Sequence, residues 1–309
     1  MGEIETAMKV TAWPDLPWGE WAETADTLHM WTQIVGKTRL ALTPLQNHWW
    51  NVPLYVTARG LGTSAMACGD DVLDIEFDFV AHVLRLRLGS GVERTMELRP
   101  RTVADFYREY RECLASLGVS VEIWPMPVEV ANPIRFDMDM EHKSYDAEYA
   151  YRFWQVLANA EKVFREWGTG FLGKVSPVHF FWGSFDLAVT RFSGRPAPPR
   201  PGADSIQREA YSHEVISAGF WPGNGGYGAA SFYCYAAPVP EGLAEKTVQP
   251  GAWDPALGEF LLKYDEVRGA ASPEDAVMSF LQTTYAAGAD AAKWDREALE
   301  RPVAEAPSR

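Results

Sequence analysis

The sequence has few cysteines and an excess of negative over positive charge, and both features exclude classes of protein. The three cysteines (Cys68, Cys113 and Cys234) are far apart and form no C-x-x-C pair, which excludes a disulfide framework and a cysteine-based zinc site. There are 28 lysines and arginines against 42 aspartates and glutamates, giving a net charge of -14. Because nucleic acids and anionic lipids are bound by clustered Lys and Arg, we expect neither as a partner.

Long apolar runs are also missing. The first ten residues contain no apolar stretch of signal-peptide length, and no segment approaches the ~20 apolar residues of a membrane span. Hydrophobic residues make up 47% and charged residues 23%, a composition typical of globular proteins. We therefore expect a soluble, cytoplasmic protein, and the length of 309 residues allows two domains.

Residues 1–124 are predicted to contain a helix, antiparallel strands and a second helix. Apolar residues at helical spacing predict a helix from about Trp18 to Lys37. Strict alternation predicts strands over Leu73–Phe79 and Val83–Leu88. A hairpin between these strands would set three acids opposite two arginines. Thr102 is a good N-cap for the helix that follows.

Prolines interrupt this pattern after a further strand predicted over Val119–Trp124, and we place a connection at residues 125–145. The second half, residues 146–300, repeats the order: a long helix, several strands, and a closing helix capped by Ser272. Residues 301–309 are predicted to be a disordered tail. The sequence therefore predicts an α+β fold of two similar halves, each an antiparallel sheet with flanking helices.

Two strands predicted in the second half, Val178–Phe192 and Ala210–Trp221, carry the candidate catalytic residues. These are His179, Asp186, His213 and Glu214. Period-two alternation places the two imidazoles on one side of the sheet and the two carboxylates on the other, if the strands pair in suitable register. Imidazole with carboxylate is the composition that general acid–base catalysis needs, and two histidines are also ligands for a divalent metal. The alternative is that all four are hydrogen-bonded polar groups inside a doubly covered sheet.

A second group of residues is a candidate for substrate binding. Its members are His29, Gln33, Lys37, Tyr55, Arg59, Arg191 and Trp221. His29, Gln33 and Lys37 line one face of the first helix, and Tyr55 and Arg59 one face of a strand. Together these two faces would hold a carboxylate or phosphate, with Arg59 as a bidentate fork. The alternative for the helix stripe is an exposed polar face, and tryptophans such as Trp221 are more often core residues than ligand platforms.

Cofactor motifs give no positive signal. Gly168-Thr-Gly-Phe-Leu-Gly173 has the letters of a dinucleotide motif but follows a helix, whereas such a site lies between a strand and a helix. We predict no cofactor, with a divalent metal as the alternative.

Several segments resemble an uncharacterised bacterial family, domain of unknown function 5996. Among them are Leu28-His-Met-Trp-Thr-Gln-Ile-Val-Gly-Lys37, Asn47-His-Trp-Trp50, His179-Phe-Phe-Trp-Gly-Ser-Phe-Asp-Leu187 and Tyr211-Ser-His-Glu-Val-Ile-Ser-Ala-Gly-Phe-Trp-Pro-Gly223. The resemblance extends from about Trp13 to Tyr285, which implies that the chain is a single functional unit. It implies no particular activity and no catalytic residues.

The leading hypothesis is a small-molecule enzyme that uses acid–base chemistry in a pocket between the halves. His213 and Glu214 would act with His179 and Asp186, and His213 is expected at the wall of the largest cavity, beside a glycine-rich loop. One alternative is a non-catalytic ligand-binding or interaction protein. The other is a divalent-metal protein that uses His179 and His213. The sequence contains no signal for an oligomeric state.

Overall fold

Each half of the chain contains six antiparallel strands and long flanking helices in the computed structural model, which describes residues 13–302. The first half consists of helix α1 (Trp18–Leu42), a 3₁₀ helix (Asn47–Trp49), strands β1 (Tyr55–Val56), β2 (Gly60–Gly62), β3 (Met66–Cys68), β4 (Asp71–Asp78), β5 (Val83–Leu88) and β6 (Glu93–Glu97), and helix α2 (Val103–Ser116). The second half consists of α3 (Ala147–Thr169), β7 (His179–Phe181), β8 (Asp186–Pro196), α4 (Ser205–Ala210), β9 (His213–Trp221), β10 (Ser231–Ala237), β11 (Ala252–Asp254), β12 (Glu259–Lys263), α5 (Tyr264–Arg268), α6 (Pro273–Ala291) and α7 (Arg296–Leu299). The predicted α+β fold of two similar halves is confirmed. Residues 303–309 of the predicted tail lie outside the described residues.

The two sheets meet edge to edge. One sheet has the strand order β1-β2-β4-β5-β6, with β3 beside β4, and the other has the order β11-β12-β10-β9-β8-β7. Between β1 and β7, Leu54 and Phe180 each donate a backbone N–H to the other's carbonyl oxygen at 2.9 Å. This pair of hydrogen bonds connects the two halves at the backbone.

The predicted hairpin of β4 and β5 is confirmed. Ile75 and Phe77 are buried, while on the other face Asp74 pairs with Arg87 and Glu76 pairs with Arg85. Because alternate residues of a strand point to opposite faces, this register sets the acids opposite the arginines as the sequence predicts.

The helix N-caps predicted at Thr102 and Ser272 are confirmed as well. Their side chains each accept a hydrogen bond from the backbone N–H three residues later, and Asp146 caps α3 in the same way. The end predicted for α1 near Lys37 is wrong, because the helix continues to Leu42. Gly36 instead lets the ring of Trp182 pack against the helix, since a Cβ at residue 36 would overlap that ring.

Two predicted strands differ from the structure. Residues 119–124 form no strand, and the connection predicted at residues 125–145 has no regular secondary structure. The segment 178–192 is a hairpin of β7 and β8 instead of one strand, with its turn at residues 182–185. The turn reverses the chain, so that Asp186 pairs with Phe181 and lies on the same face as His179. The predicted placement of Asp186 opposite His179 is therefore wrong.

The two halves share one hydrophobic core. Trp31 of α1 stacks on Phe106 of α2 with ring centroids 4.6 Å apart, and Phe153 of α3 stacks on Phe185 at 5.2 Å. These rings belong to a single cluster that also contains Phe232 of β10. The long helices pack on one face of the sheets, which leaves the other face of β7–β10 for side chains from loops and from the 3₁₀ helix.

Candidate functional site

Side chains from both halves form a continuous group beside the place where the sheets meet, which we call the junction cluster. Its members are Arg39, His48, Trp50, Tyr55, Lys174, His179 and His213. They come together because β1 and β7 are adjacent and the 3₁₀ helix lies over the end of β8. The cluster contains two cations, three imidazoles and two further aromatic rings.

Lys174 and His48 form the centre of the cluster. The Nδ1 of His48 lies 3.1 Å from the carbonyl oxygen of Glu209 and 3.2 Å from that of Ala210. Because carbonyl oxygens only accept, Nδ1 carries the proton and Nε2 accepts a hydrogen bond from the Lys174 ammonium at 2.7 Å. The ammonium also lies 4.9 Å from the ring centroids of Trp50 and Phe192.

The backbone holds His48 in an uncommon conformation. Its φ is 59° and that of Trp49 is 60°, both in the left-handed region that costs a non-glycine residue about 1–2 kcal/mol. Residues held in such conformations cluster at active sites, ligand-binding sites and switch regions of proteins. The strain therefore favours a functional role for the His48 side chain.

The cluster continues from Trp50 to Arg39. The His179 ring lies 5.7 Å from those of Trp50 and Tyr55, and the Arg39 guanidinium lies 5.3 Å from the Tyr55 ring. His179 is 1% exposed, and its Nε2 has no hydrogen-bond partner among the described residues. The Nε of Arg39 is likewise buried without one, although another nitrogen of its guanidinium donates to the carbonyl of Thr63. Two polar nitrogens thus stay unpaired close to the junction.

The charges of the cluster follow from burial. Loss of hydration lowers the pKa of His179 to about 3, assisted by the charge of Arg39. Burial also lowers the pKa of His48, with the Lys174 ammonium as a second cause. At neutral pH the imidazoles of His48 and His179 are therefore uncharged, and the positive charge resides on Lys174 and Arg39. No carboxylate of the described residues forms an ion pair with either cation.

The four candidate catalytic residues are not brought together. The contacts between rings run from His179 to Trp50 (5.7 Å), from Trp50 to His48 (5.2 Å) and from His48 to His213 (5.7 Å). Two rings therefore separate the two candidate histidines. Glu214 points to the helix side, where Arg195 donates to its Oε2 at 2.6 Å. Arg195 also reaches the carbonyl of Ala292 near the end of α6. The predicted convergence of the two carboxylates is therefore wrong, because Glu214 belongs to a surface ion pair on the opposite face from Asp186.

Asp186 lies in its own polar group on the face without long helices. Its two carboxylate oxygens accept hydrogen bonds from the hydroxyls of Ser184 and Tyr233. Burial raises the pKa of this carboxyl, against the effect of the two hydroxyls. Nearby, Trp221 donates to Asn224 at 2.5 Å, and Asn224 donates to the carbonyl of Ser184 at 3.2 Å. Trp221 thus fastens the glycine-rich loop to the β7–β8 turn.

The polar stripe of α1 is buried beneath two other segments. His29 Nε2 lies 2.8 Å from the carbonyl oxygen of Gly183, and the Gln33 amide makes two 2.9 Å hydrogen bonds with the backbone of Val128. Lys37 lies between Trp124 and Trp182. The predicted alternative of an exposed stripe is wrong, because the connection and the β7–β8 turn cover it.

Arg59 and Arg191, which were predicted to bind a substrate, do not lie beside this stripe. Arg59 Nε donates to Asp78 Oδ2 at 2.6 Å on the exposed face of the first sheet. Arg191 is buried on the helix side, with its guanidinium 3.5 Å from the ring centroid of Trp167 and 4.4 Å from that of Tyr285. The predicted anion site that combines His29, Gln33 and Lys37 with Arg59 is therefore not assembled.

Two surface cavities lie in the second half. One of about 470 Å³ runs along α3 between Ala158 and Thr169. The other, of about 420 Å³, lies between residues 197–201 and the strand ends at Tyr211 and Ala237. His213 lines neither of them. Within residues 13–302 no three His, Cys, Asp or Glu side chains converge as metal ligands would.

Sequence reasoning missed four members of the junction cluster: Arg39, His48, Trp50 and Lys174. Asn47-His-Trp-Trp50 carried the available signal, since an imidazole and two indoles follow one another directly before a strand. Lys174 had no local signal, because its position depends on the pairing of residues 174–176 with β8.

None of the helices in the described part of the chain has the length and apolar character needed to cross a bilayer. No curated protein and no solved structure matches the chain. Residues 13–301 match a family of unknown function, DUF5996. The match covers almost the whole chain and agrees with the resemblance of the quoted segments, so this chain belongs to that family.

Proposed function

We propose that the protein binds a small anion with a flat apolar part at the junction cluster. The observation that carries the proposal is the environment of Lys174: in a chain of charge -14, this ammonium has an imidazole and two aromatic rings as neighbours and no carboxylate among the described residues. An ammonium has three donors, and His48 uses one of them. The others are available to a carboxylate or phosphate.

The aromatic rings support the second part of the proposal. Trp50 is half-buried and adjoins both Lys174 and His179. Pockets for small molecules combine such apolar surfaces with a few polar groups that fix the orientation of the ligand. A benzene-sized ring on Trp50 would place an attached anionic group beside Lys174.

The test is a comparison of three ligands that differ in charge. We expect benzoate and phenyl phosphate to bind in calorimetric titrations and benzylamine not to bind. Lys174→Met should weaken binding of the anions by about 10-fold to 100-fold, the effect of one hydrogen bond to a charged group. Lys162→Met, at an exposed lysine on α3, is the matched control. Equal affinity of the Lys174→Met variant, or equal binding of benzylamine, would contradict the proposal.

Acid–base catalysis by Asp186 is a second candidate, supported by the burial of its carboxyl and by the tyrosines between it and a cavity. Tyr211 lines the 420 Å³ cavity, and its hydroxyl lies 2.9 Å from that of Tyr235. The Tyr235 ring stacks on Tyr233, which donates to Asp186. Burial raises the pKa of the Asp186 carboxyl, which is a property of general acids and bases. In this case Asp186→Asn should abolish the conversion of a bound ligand and leave the affinity for that ligand unchanged. Chromatography of the reaction mixture measures the conversion. Conversion at the wild-type rate would reject the assignment.

A further inference from the structure

Lys37 of α1 is not a member of the junction cluster and lies in an aromatic enclosure of its own. Its Nζ is 5.0 Å from the ring centroid of Trp124 and 5.6 Å from that of Trp182. Trp182 is buried and fixed, because its indole N–H donates to the carbonyl of Val52 at 2.9 Å. Trp124 is 64% exposed and lies in residues 119–124, which form no strand, so one wall of the enclosure is a surface side chain.

The Lys37 amine has no oppositely charged partner among the described residues. Lys37 is 6% exposed, and none of the described carboxylates forms an ion pair with it. A buried charge without a partner is costly, so the neutral form gains in stability. Burial accordingly lowers the pKa of Lys37 to about 8. A desolvated lysine in an apolar enclosure is the form of this side chain that acts as a nucleophile.

We propose that Lys37 forms an imine with an aromatic aldehyde or ketone. The lone pair of the neutral amine attacks the carbonyl carbon, a C–N bond forms, and the π electrons of the C=O bond move to oxygen. Proton transfer from nitrogen to oxygen gives a carbinolamine, and loss of water gives the C=N bond. The step needs no oxidant or reductant. The protonated imine keeps its positive charge between the two indole rings, which attract a cation and stack on a flat substituent.

The experiment traps the imine in the wild-type protein. Native protein is incubated at pH 8 with benzaldehyde and sodium cyanoborohydride. The reagent reduces the imine to a stable N-benzyl lysine. Mass spectrometry of peptides then gives the rate of modification at each lysine. Lys37 should be modified at least about tenfold faster than exposed Lys162, because about half of its amine is neutral at pH 8, against less than about 1% for an ordinary lysine.

Two comparisons show whether the enclosure causes the reactivity. In protein unfolded in urea the advantage of Lys37 over Lys162 should disappear, and in native protein the rate at Lys37 should rise with a midpoint near pH 8. Equal rates at the two lysines in the native state, or an advantage that persists after unfolding, would overturn the proposal.

Discussion

Several ionisable side chains of this protein are buried among neutral groups. Arg39, Lys37 and His179 have aromatic rings as neighbours and form no ion pair with any described carboxylate. Burial of a charge normally requires a partner, and an imidazole escapes that cost by staying neutral. The free energy of unfolding is therefore lower than it would be with apolar residues at these three positions. Such a cost is typical of residues that serve in binding or catalysis.

His29 gives a measurable consequence at the level of one residue. Burial lowers its pKa to about 4, whereas in the unfolded chain the imidazole has a pKa of 6.5. Between these values unfolding takes up a proton, so the free energy of unfolding falls as the pH falls from 6.5 towards 4. We expect wild-type protein to lose about 2 kcal/mol more than His29→Gln between pH 7 and pH 5.

Urea unfolding of both proteins at the two pH values measures this difference. Other titrating groups contribute equally to both proteins and cancel in the comparison. Parallel losses of stability would show that His29 is protonated inside the fold.

The site could be predicted in part because residue type and period place side chains on faces. His29, Gln33 and Lys37 do share one face of α1. What covers that face is set by Val128 and Gly183, which are distant in the sequence. Helical period shows that a stripe is polar but not whether it is exposed, and here backbone groups of distant segments satisfy His29 and Gln33 in the interior.

At the scale of elements, the features predicted correctly are those that depend on residues close together in the sequence. N-caps and strand alternation depend on neighbouring residues, and the structure confirms them at Thr102, Ser272 and β4. The β7–β8 turn was missed because Trp182 and Phe185 are apolar residues typical of strands, and the turn has no Asn-Gly or Asp-Gly pair. Phe185 adopts a φ of 63°, a conformation that its residue type does not signal.

The packing of α1 against this turn can be tested at Gly36. A Cβ there would overlap the Trp182 ring, whereas a Cβ at Gly19 of the same helix would meet nothing within 4 Å. Gly36→Ala should therefore destabilise the protein by about 1–3 kcal/mol despite the higher helix propensity of alanine. Gly19→Ala should be neutral or stabilise by up to about 1 kcal/mol.

Equilibrium unfolding in urea gives both values. Because the two substitutions are chemically identical and lie in one helix, their difference isolates the contact with Trp182. A Gly36→Ala protein as stable as Gly19→Ala would mean that α1 and the turn are not in close contact.

At the scale of the whole molecule, the halves are similar in architecture but joined in three ways. The backbone pair of Leu54 and Phe180 connects the sheets, one hydrophobic cluster includes side chains from both halves, and the junction cluster takes its members from both. The sequence predicted the similarity through the order of elements. It did not predict the edge-to-edge contact, because β1 has two residues and β7 three, which is too short for a periodic signal.

This continuity predicts that the two halves unfold together. Leu84 of β5 is fully buried in the first half, and Leu84→Ala should cost about 2–5 kcal/mol. If unfolding is cooperative, amide protection in β10 of the second half should fall by the same free energy as protection in β5, since both open through the same global event. Hydrogen exchange followed by mass spectrometry of peptides from the two strands measures both changes. Unchanged protection of β10 would mean that the second half keeps its structure while the first half opens, and that the shared core does not couple them.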